Sequence, residues 1–365
     1  MILIFYEYTN TQNMQDPETS LRLAAEIHKQ VRRDLQTHRV VRAGAKLTDI
    51  ADFIETSTKQ HVSNMMASAS ASASASPITV INGGIGFPVG LSTNSCAAHY
   101  HPHSSDCTVL SSSDIIKIDF GTEVNGWIID SAFTRHGFGG TAQQHSRTDE
   151  YDNLTACMRD ATNTGIKNIG IDATILEWTQ SVEEVIRSYE GVYPITNLGG
   201  HNILHEIIHG DKFLPASAAS VRDARERFCA GVYAIETFGS TDANTATNCE
   251  ARERGDSTIF RLNPGFMRYS AAQLVSQFHS PIFKIQSVQK LFSQIKTRFK
   301  TLPFAERYLQ SCDRTPLALL AKHDVLYSYP PLCVASGATA QYEHTLMLRE
   351  SGMGGPIVFS RDDDY

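Results

Sequence analysis

The chain has no run approaching the roughly 18 apolar residues that a membrane helix needs, so nothing in it reads as a transmembrane span. It has no CxxC pair. Its seven cysteines, at 96, 107, 157, 229, 249, 312 and 333, are scattered and odd in number. That pattern argues against a disulfide scaffold and for reduced thiols in a cytoplasmic protein. Basic charge is in deficit: a net charge of −7 speaks against nonspecific nucleic-acid binding through the whole surface. The apolar start, Met1 to Tyr6, lacks a basic n-region and meets Glu7 at once, which makes it a poor signal peptide. Residues 1–17 read instead as a short edge strand or a disordered start. No short-period repeat is present.

What remains is 365 residues with 41% hydrophobic content, enough for one large α/β domain with an insertion. Leu21, Leu23, Ala24, Ile27 and Val31 recur at helical spacing, and a second helix is expected from about Lys46 to Ser63 with Thr48 as N-cap. Ala67 to Ser76 alternates Ala and Ser with nothing large to bury, and reads as a flexible inserted loop. Glu150–Ile169 and Ile175–Ser188 are amphipathic helices. Leu198-Gly-Gly-His201 reads as a turn, and 242–280 as polar, then irregular. Ile285 to Cys312 reads as a helical stretch. Its Lys290, Lys296, Arg298 and Lys300 fit a solvated face better than a ribosome or RNA contact.

Three strands carry acids where none is expected. Two β-branched runs flank Asn125-Gly126, the strongest short hairpin signal. With those two residues as the loop, Val124 pairs with Trp127, Asp119 faces Ala132, and Asp130 faces Gly121. Both aspartates then project from one side as diagonal neighbours, roughly 7–8 Å apart at Cβ or less. Ile118, Phe120, Ile129 and Phe133 take the other, core side. The aspartates line either a solvated edge or half of a metal site, since like charges held together need a proton or a cation. Glu236 sits inside the strand 231–238, Glu343 inside 339–348, and His201 follows Gly199-Gly200. Mid-strand acids are rare unless paired or coordinating. Four acids and one imidazole make a hard, oxygen-rich set suited to two divalent ions. Helices then acidic strand, twice over, imply two similar halves.

These residues resemble the type-2 methionine aminopeptidases of the pita-bread metallopeptidase superfamily. The likeness runs through Phe87-Pro, Asn94-Ser-Cys-Ala-Ala-His-Tyr100, Lys117-Ile-Asp-Phe-Gly-Thr122, Ile128-Ile-Asp-Ser-Ala-Phe-Thr134, Asp160-Ala-Thr-Asn-Thr-Gly-Ile-Lys167, Asn197-Leu-Gly-Gly-His201, Ala234-Ile-Glu-Thr-Phe-Gly-Ser-Thr241, Tyr329-Pro-Pro-Leu-Cys333, Ala340-Gln-Tyr-Glu-His-Thr345 and the final Asp-Asp-Asp-Tyr365. It implies a creatinase/aminopeptidase-like α/β fold: two pseudo-symmetric halves within a catalytic domain of 18–365, with a helical insertion at 255–325. It implies Asp119, Asp130, His201, Glu236 and Glu343 as ligands of two divalent metal ions (Co, Mn, Fe or Zn), with Asp130 and Glu343 bridging and Glu236 also the general base. It implies His99 near the scissile amide, His209 supporting the tetrahedral intermediate, and Phe87, Leu198, Ile208, Tyr329 and Leu332 around a methionine side chain. The implied partners are nascent polypeptide N-termini, with ribosome association left open, and neither a membrane nor a specific nucleic acid.

The likeness has a gap. The family usually carries Ser-His-Tyr-Met where the insertion begins. The nearest equivalent here is Ser257-Thr-Ile-Phe260, in which Ile259 takes the place of the pocket histidine. The flanking 242–256 loop departs too. A decoy is also present: His205-Glu-Ile-Ile-His209 satisfies H-E-x-x-H, but it follows a Gly-Gly pair and is cut by Gly210, so any helix there is short. The leading function is removal of initiator methionine from proteins with a small second residue. The alternatives are a non-catalytic relative that binds RNA or ribosomes, which would lack the ligands, and an X-Pro peptidase of the same fold.

Overall fold

The computed structural model describes residues 16–71, 82–138, 148–243, 248–276, 280–309 and 314–365. The expected N-terminal strand or disordered start therefore lies almost wholly outside the described residues.

Helix α1 (Pro17–Thr37) begins where Asp16 accepts a hydrogen bond from the Thr19 amide at 3.2 Å and Pro17 fills the first turn, where a missing N–H costs nothing. It buries Leu21, Ala24, Ile27, Val31 and Leu35. Helix α2 (Leu47–Ala71) starts one residue before Thr48, which lies in its first turn rather than capping it. It also runs on into the Ala-Ser tract as far as Ala71, where a loop was expected. Alanine is the best helix former, so a helix already nucleated continues through it. The rest of the tract is outside the described residues.

Strands β1 (Gly83–Thr93), β2 (Cys96–Ala98), β3 (Ile116–Val124) and β4 (Trp127–Arg135) follow. The sheet order is β1-β3-β4, with α1 and α2 packed against it. The hairpin register is the one counted back from Asn125-Gly126: Val124 faces Trp127, Asp119 faces Ala132, and Asp130 faces Gly121. Both loop residues take positive φ, as a primed turn demands.

The second half repeats the plan. Helices α3 (Thr148–Asn168) and α4 (Ile175–Ser188) lead into β5 (Tyr193–Pro194), β6 (Gly199–Ile203), β7 (Phe213–Pro215) and β8 (Gly231–Ser240). Thr174 and Glu177 cap α4 reciprocally. The Gly-Gly pair is strand β6, not a turn. A Cβ on Gly199 would stand 2.3 Å from the Leu214 carbonyl oxygen, and one on Gly200 2.4 Å from that of Ala234. The glycines serve close backbone approach, and a reading of Gly-Gly as punctuation misses that.

Next come β9 (Arg252–Glu253), β10 (Ile259–Leu262), α5 (Ala271–Ser276), α6 (Gln286–Arg298), β11 (Phe304–Ala305), α7 (Arg314–Lys322) and β12 (Leu326–Tyr329). From β10 to β12 this stretch has its own core of Phe260, Leu262, Phe283, Val288, Phe292, Phe304 and Leu320. Within it, the helix expected over 285–312 ends at Arg298, and Phe304 turns back to pair with β10. Finally β13 (Leu332–Cys333) pairs with β2, and β14 (Thr339–Leu348) and β15 (Ile357–Val358) complete a sheet of order β15-β14-β8-β6-β7, with β5 on β8.

The two halves meet where β4 lies beside β14. No backbone ladder joins these strands among the described residues. Buried hydroxyls do. Thr345 Oγ1 accepts from the Asp130 amide at 2.7 Å and donates to the Asp130 carbonyl at 2.6 Å. Thr134 Oγ1 does the same for Gln341, at 2.9 Å and 2.7 Å. Ser131 Oγ donates to the Glu343 carbonyl at 2.8 Å. One hydroxyl thus satisfies both polar groups of the residue opposite.

Thr345→Val keeps the shape and strands the Asp130 N–H and C=O in a dry seam, so it should cost roughly 1–3 kcal/mol. Urea unfolding of the metal-free protein measures this. Stability equal to wild type would show that the seam does not depend on the hydroxyl.

Candidate metal centre

The hairpin and the β8–β14 pair present their acids to the same space. Glu343 lies directly opposite Glu236 in register, and His201 lies opposite Ala234, one side-chain step along the same face of β8. Like charges directly across a strand pair repel unless something neutralises them. Gly121, opposite Asp130, makes room for the Phe87 ring: a Cβ there would fall 2.3 Å from it. The structure brings all five predicted ligand-type residues to one cavity, with Asp130, His201, Glu236 and Glu343 buried and Asp119 half-buried.

His201 Nε2 stands 3.4 Å from Asp130 Oδ2 and 3.9 Å from Glu236 Oε1. Asp130, His201 and Glu343 each offer an atom within 4.8 Å of the others'. Gln341 Nε2 donates to Glu236 Oε2 at 2.9 Å and to Asp119 Oδ2 at 3.3 Å. Asp119 Oδ1 and both Glu343 oxygens are buried without a hydrogen-bond partner. Bare carboxylate oxygens in a dry site are costly, so these residues fit a divalent cation. Burial, then the charge of Asp130, pushes the carboxyls of Asp119, Glu236 and Glu343 well above the usual range.

A cavity of about 470 Å³ opens over this cluster. His99, His209, Phe87, Leu198, Ile208, Tyr329, Leu332 and Ile259 all line it, so every residue expected at the pocket is there. His99 and Tyr329 meet edge to face at 5.5 Å, as do His201 and His209 at 4.4 Å. Burial lowers His99 to about 4, and burial with the neighbouring His201 lowers His209 well below the usual range. Both imidazoles are neutral at physiological pH. In the divergent tetrapeptide Ile259 faces the cavity, while Thr258 Oγ1 turns away to the His101 carbonyl at 2.9 Å.

The H-E-x-x-H segment forms a turn, not a helix. His205 Nε2 bonds the Asn125 carbonyl at 2.8 Å, and Glu206 pairs with Lys300. Of its two histidines and its glutamate, only His209 lines the cavity, beside Ile208. Sequence reasoning missed Gln341 as a partner of the acids, although the alternation of β14 places 341 and 343 on one face. It also missed Lys212 and Arg222 in the cavity lining; nothing local marks them.

Comparison with known proteins agrees with this geometry. The model of Metallopeptidase family M24 matches residues 19–236. Methionine aminopeptidase 2-2 of Talaromyces stipitatus is 35% identical over 376 residues, 99% of this chain and 72% of that protein. Methionine aminopeptidase 2 of Schizosaccharomyces pombe is 35% identical over 363 residues, 96% of this chain and 74% of its own. Among solved structures, a thermophilic Arx1 superposes with TM-score 0.73 at 15% identity, covering 96% of this chain and 92% of that one. Methionine aminopeptidase from Rickettsia prowazekii gives 0.54 at 12%, covering 94% and 97%. At such identities the structural likeness concerns the fold alone. The architecture is the pita-bread α/β fold, as expected. The chain belongs to metallopeptidase family M24, and within it to the type-2 methionine aminopeptidases.

The raised carboxyls set a pH dependence. In the metal-free protein Glu343 holds its proton to higher pH folded than unfolded, so its contribution to stability falls as pH rises above the ordinary carboxyl range. Metal-free Glu343→Gln should therefore gain stability relative to metal-free wild type between about pH 5 and pH 8, a comparison in which the buried histidines cancel. With saturating Mn²⁺ the ranking should invert. A constant difference across that range, read from thermal unfolding, would place Glu343 outside the charge cluster.

Proposed function

We propose that the chain is an aminopeptidase that removes the initiator methionine from nascent proteins with a small second residue, using two divalent ions. The observation that carries this is the convergence of three buried acids and the half-buried Asp119, three of their oxygens without partners, on one imidazole beneath a cavity. Asp119, Asp130, His201, Glu236 and Glu343 would hold the ions. The donor set suits Co, Mn, Fe or Zn. Bound ions would supply Lewis acidity and lower the pKa of water at the scissile carbonyl.

The protein's own groups do the rest. Glu236 takes a proton from the attacking water and passes it to the leaving nitrogen, so that water's O–H adds across the broken C–N bond. A neutral His209 can donate one hydrogen bond to the oxyanion of the tetrahedral intermediate, and a neutral His99 contacts the scissile amide. Phe87, Leu198, Ile208, Tyr329 and Leu332 enclose the unbranched thioether. The substrate partners are nascent N-termini in the cytoplasm, where ribosome association would bring them within reach. Among the described residues no helix is long and apolar enough to cross a membrane.

The two acids at rival positions separate the readings. Glu236→Gln should lose nearly all turnover of Met-Ala-Ser, by a factor of roughly 10²–10⁴, as should chelation of the wild type. Glu206→Gln, which removes only the partner of Lys300, should keep most of it. The opposite ranking would move the chemistry to H-E-x-x-H, and full turnover after chelation would end the metal reading.

Specificity should bear the mark of Ile259. An added apolar contact shifts discrimination by about 1–3 kcal/mol at most, so methionine stays preferred while norleucine is cleaved relatively well. Ile259→His should raise the methionine-to-norleucine ratio of kcat/KM, by roughly ten-fold if the shift is about 1.4 kcal/mol. An unchanged ratio would mean that Ile259 does not contact the side chain.

A further inference from the structure

His99 carries a φ of +67°, a left-handed conformation that non-glycine residues keep only when their surroundings impose it. Upstream, β2 is tied to β13. Downstream, the tie is a chain of polar contacts with no part in the chemistry described above. The Leu91 amide donates to the Tyr100 carbonyl at 2.7 Å, and Thr258 Oγ1 to the His101 carbonyl at 2.9 Å. The His101 ring is buried and fixed at both ends. Its Nδ1 lies 2.8 Å from the Val89 carbonyl oxygen, which can only accept, so Nδ1 carries the proton. Its Nε2 must then accept, and Arg307 Nε donates to it at 2.9 Å.

Arg307 is itself clamped. It pairs with Asp52 and, at 2.6 Å, with the buried Glu55, both on α2. Glu55 Oε1 also accepts from Tyr308 Oη at 2.6 Å. The chain of contacts runs from α2 in the first half, through Arg307 between β11 and α7, to the loop that carries His99. Glu55, Arg307 and His101 leave that loop one ring tautomer and one place to sit.

We infer that Arg307, braced by Glu55, is a positioning residue that holds His99 in its left-handed conformation over the cavity through the Nδ1-protonated ring of His101. This rests on the role of His99 in the proposed function. The rival explanation is that the network only docks the helical segment onto α2, and the two differ in what they do to kcat.

The test compares the metal-loaded wild type with Arg307→Met, Arg307→Lys and Glu55→Gln. On Met-Ala-Ser, Arg307→Met should lower kcat about ten-fold with KM within two-fold, since small displacements of a positioned group act on the chemical step. Arg307→Lys should recover part of the loss, with metal content unchanged throughout. Independently of turnover, diethyl pyrocarbonate should acylate His99 faster in Arg307→Met than in wild type, as read by peptide mass spectrometry. An unchanged kcat and acylation rate with only a lower unfolding midpoint, or a rise in KM alone, overturns the inference. Glu55→Gln, which keeps its volume, decides in the same way if Arg307→Met does not fold. If the wild type cleaves no methionyl peptide, the proposed function fails while the acylation comparison still decides whether Arg307 holds His99.

Discussion

Four carboxyl groups crowd around one imidazole at the floor of a cavity, three of them buried, and they cannot all be charged there without a counter-charge. The rest of the molecule is arranged to hold that conflict in place. Two antiparallel pairs, β3–β4 and β8–β14, each bring two acids to a common face. Helices pack on the far side of each pair, so neither can splay to relieve the repulsion. Buried like charges that the fold refuses to separate are a standing demand for a cation.

The seam between the halves suits that demand. Hydroxyls of Thr134 and Thr345 stand between β4 and β14, where a direct ladder would bring the strands to about 4.8 Å. They satisfy backbone groups without adding charge beside the acids. They also fix Asp130 and Glu343, which lie on opposite sides of the join, relative to one another. Tyr365 reinforces the same place: its hydroxyl meets Ser131 Oγ at 2.6 Å, and its ring stacks on His344. Arg32 holds the neighbouring Asp364 through two 2.8 Å hydrogen bonds.

The core of this was legible in the sequence because it depended on local counting. Asn125-Gly126 fixed a register, and the register placed Asp119 and Asp130 on one face. The acids at 236 and 343 stood out because strands seldom carry them. What escaped the sequence was set by distant neighbours. Gly199 and Gly200 look like a turn until Leu214 and Ala234 are seen pressing on them. The Ala-Ser tract looks like a loop until α2 runs into it. The helical stretch after 285 breaks at Arg298 because Phe304 is wanted by β10. His101 looks like one more histidine until Val89 and Arg307 are found at its two nitrogens.

The division of the five acid and imidazole groups between the halves has a consequence for the life of the molecule. Asp119 and Asp130 come from the first half, while His201, Glu236 and Glu343 come from the second, the last of them late in the chain. On the proposed reading, a copy still being synthesised, or one cut between the halves, holds only part of the set and cannot attack a peptide bond. Hydrolytic capacity then appears only once the whole domain has closed, and incomplete copies do no damage to the proteins around them.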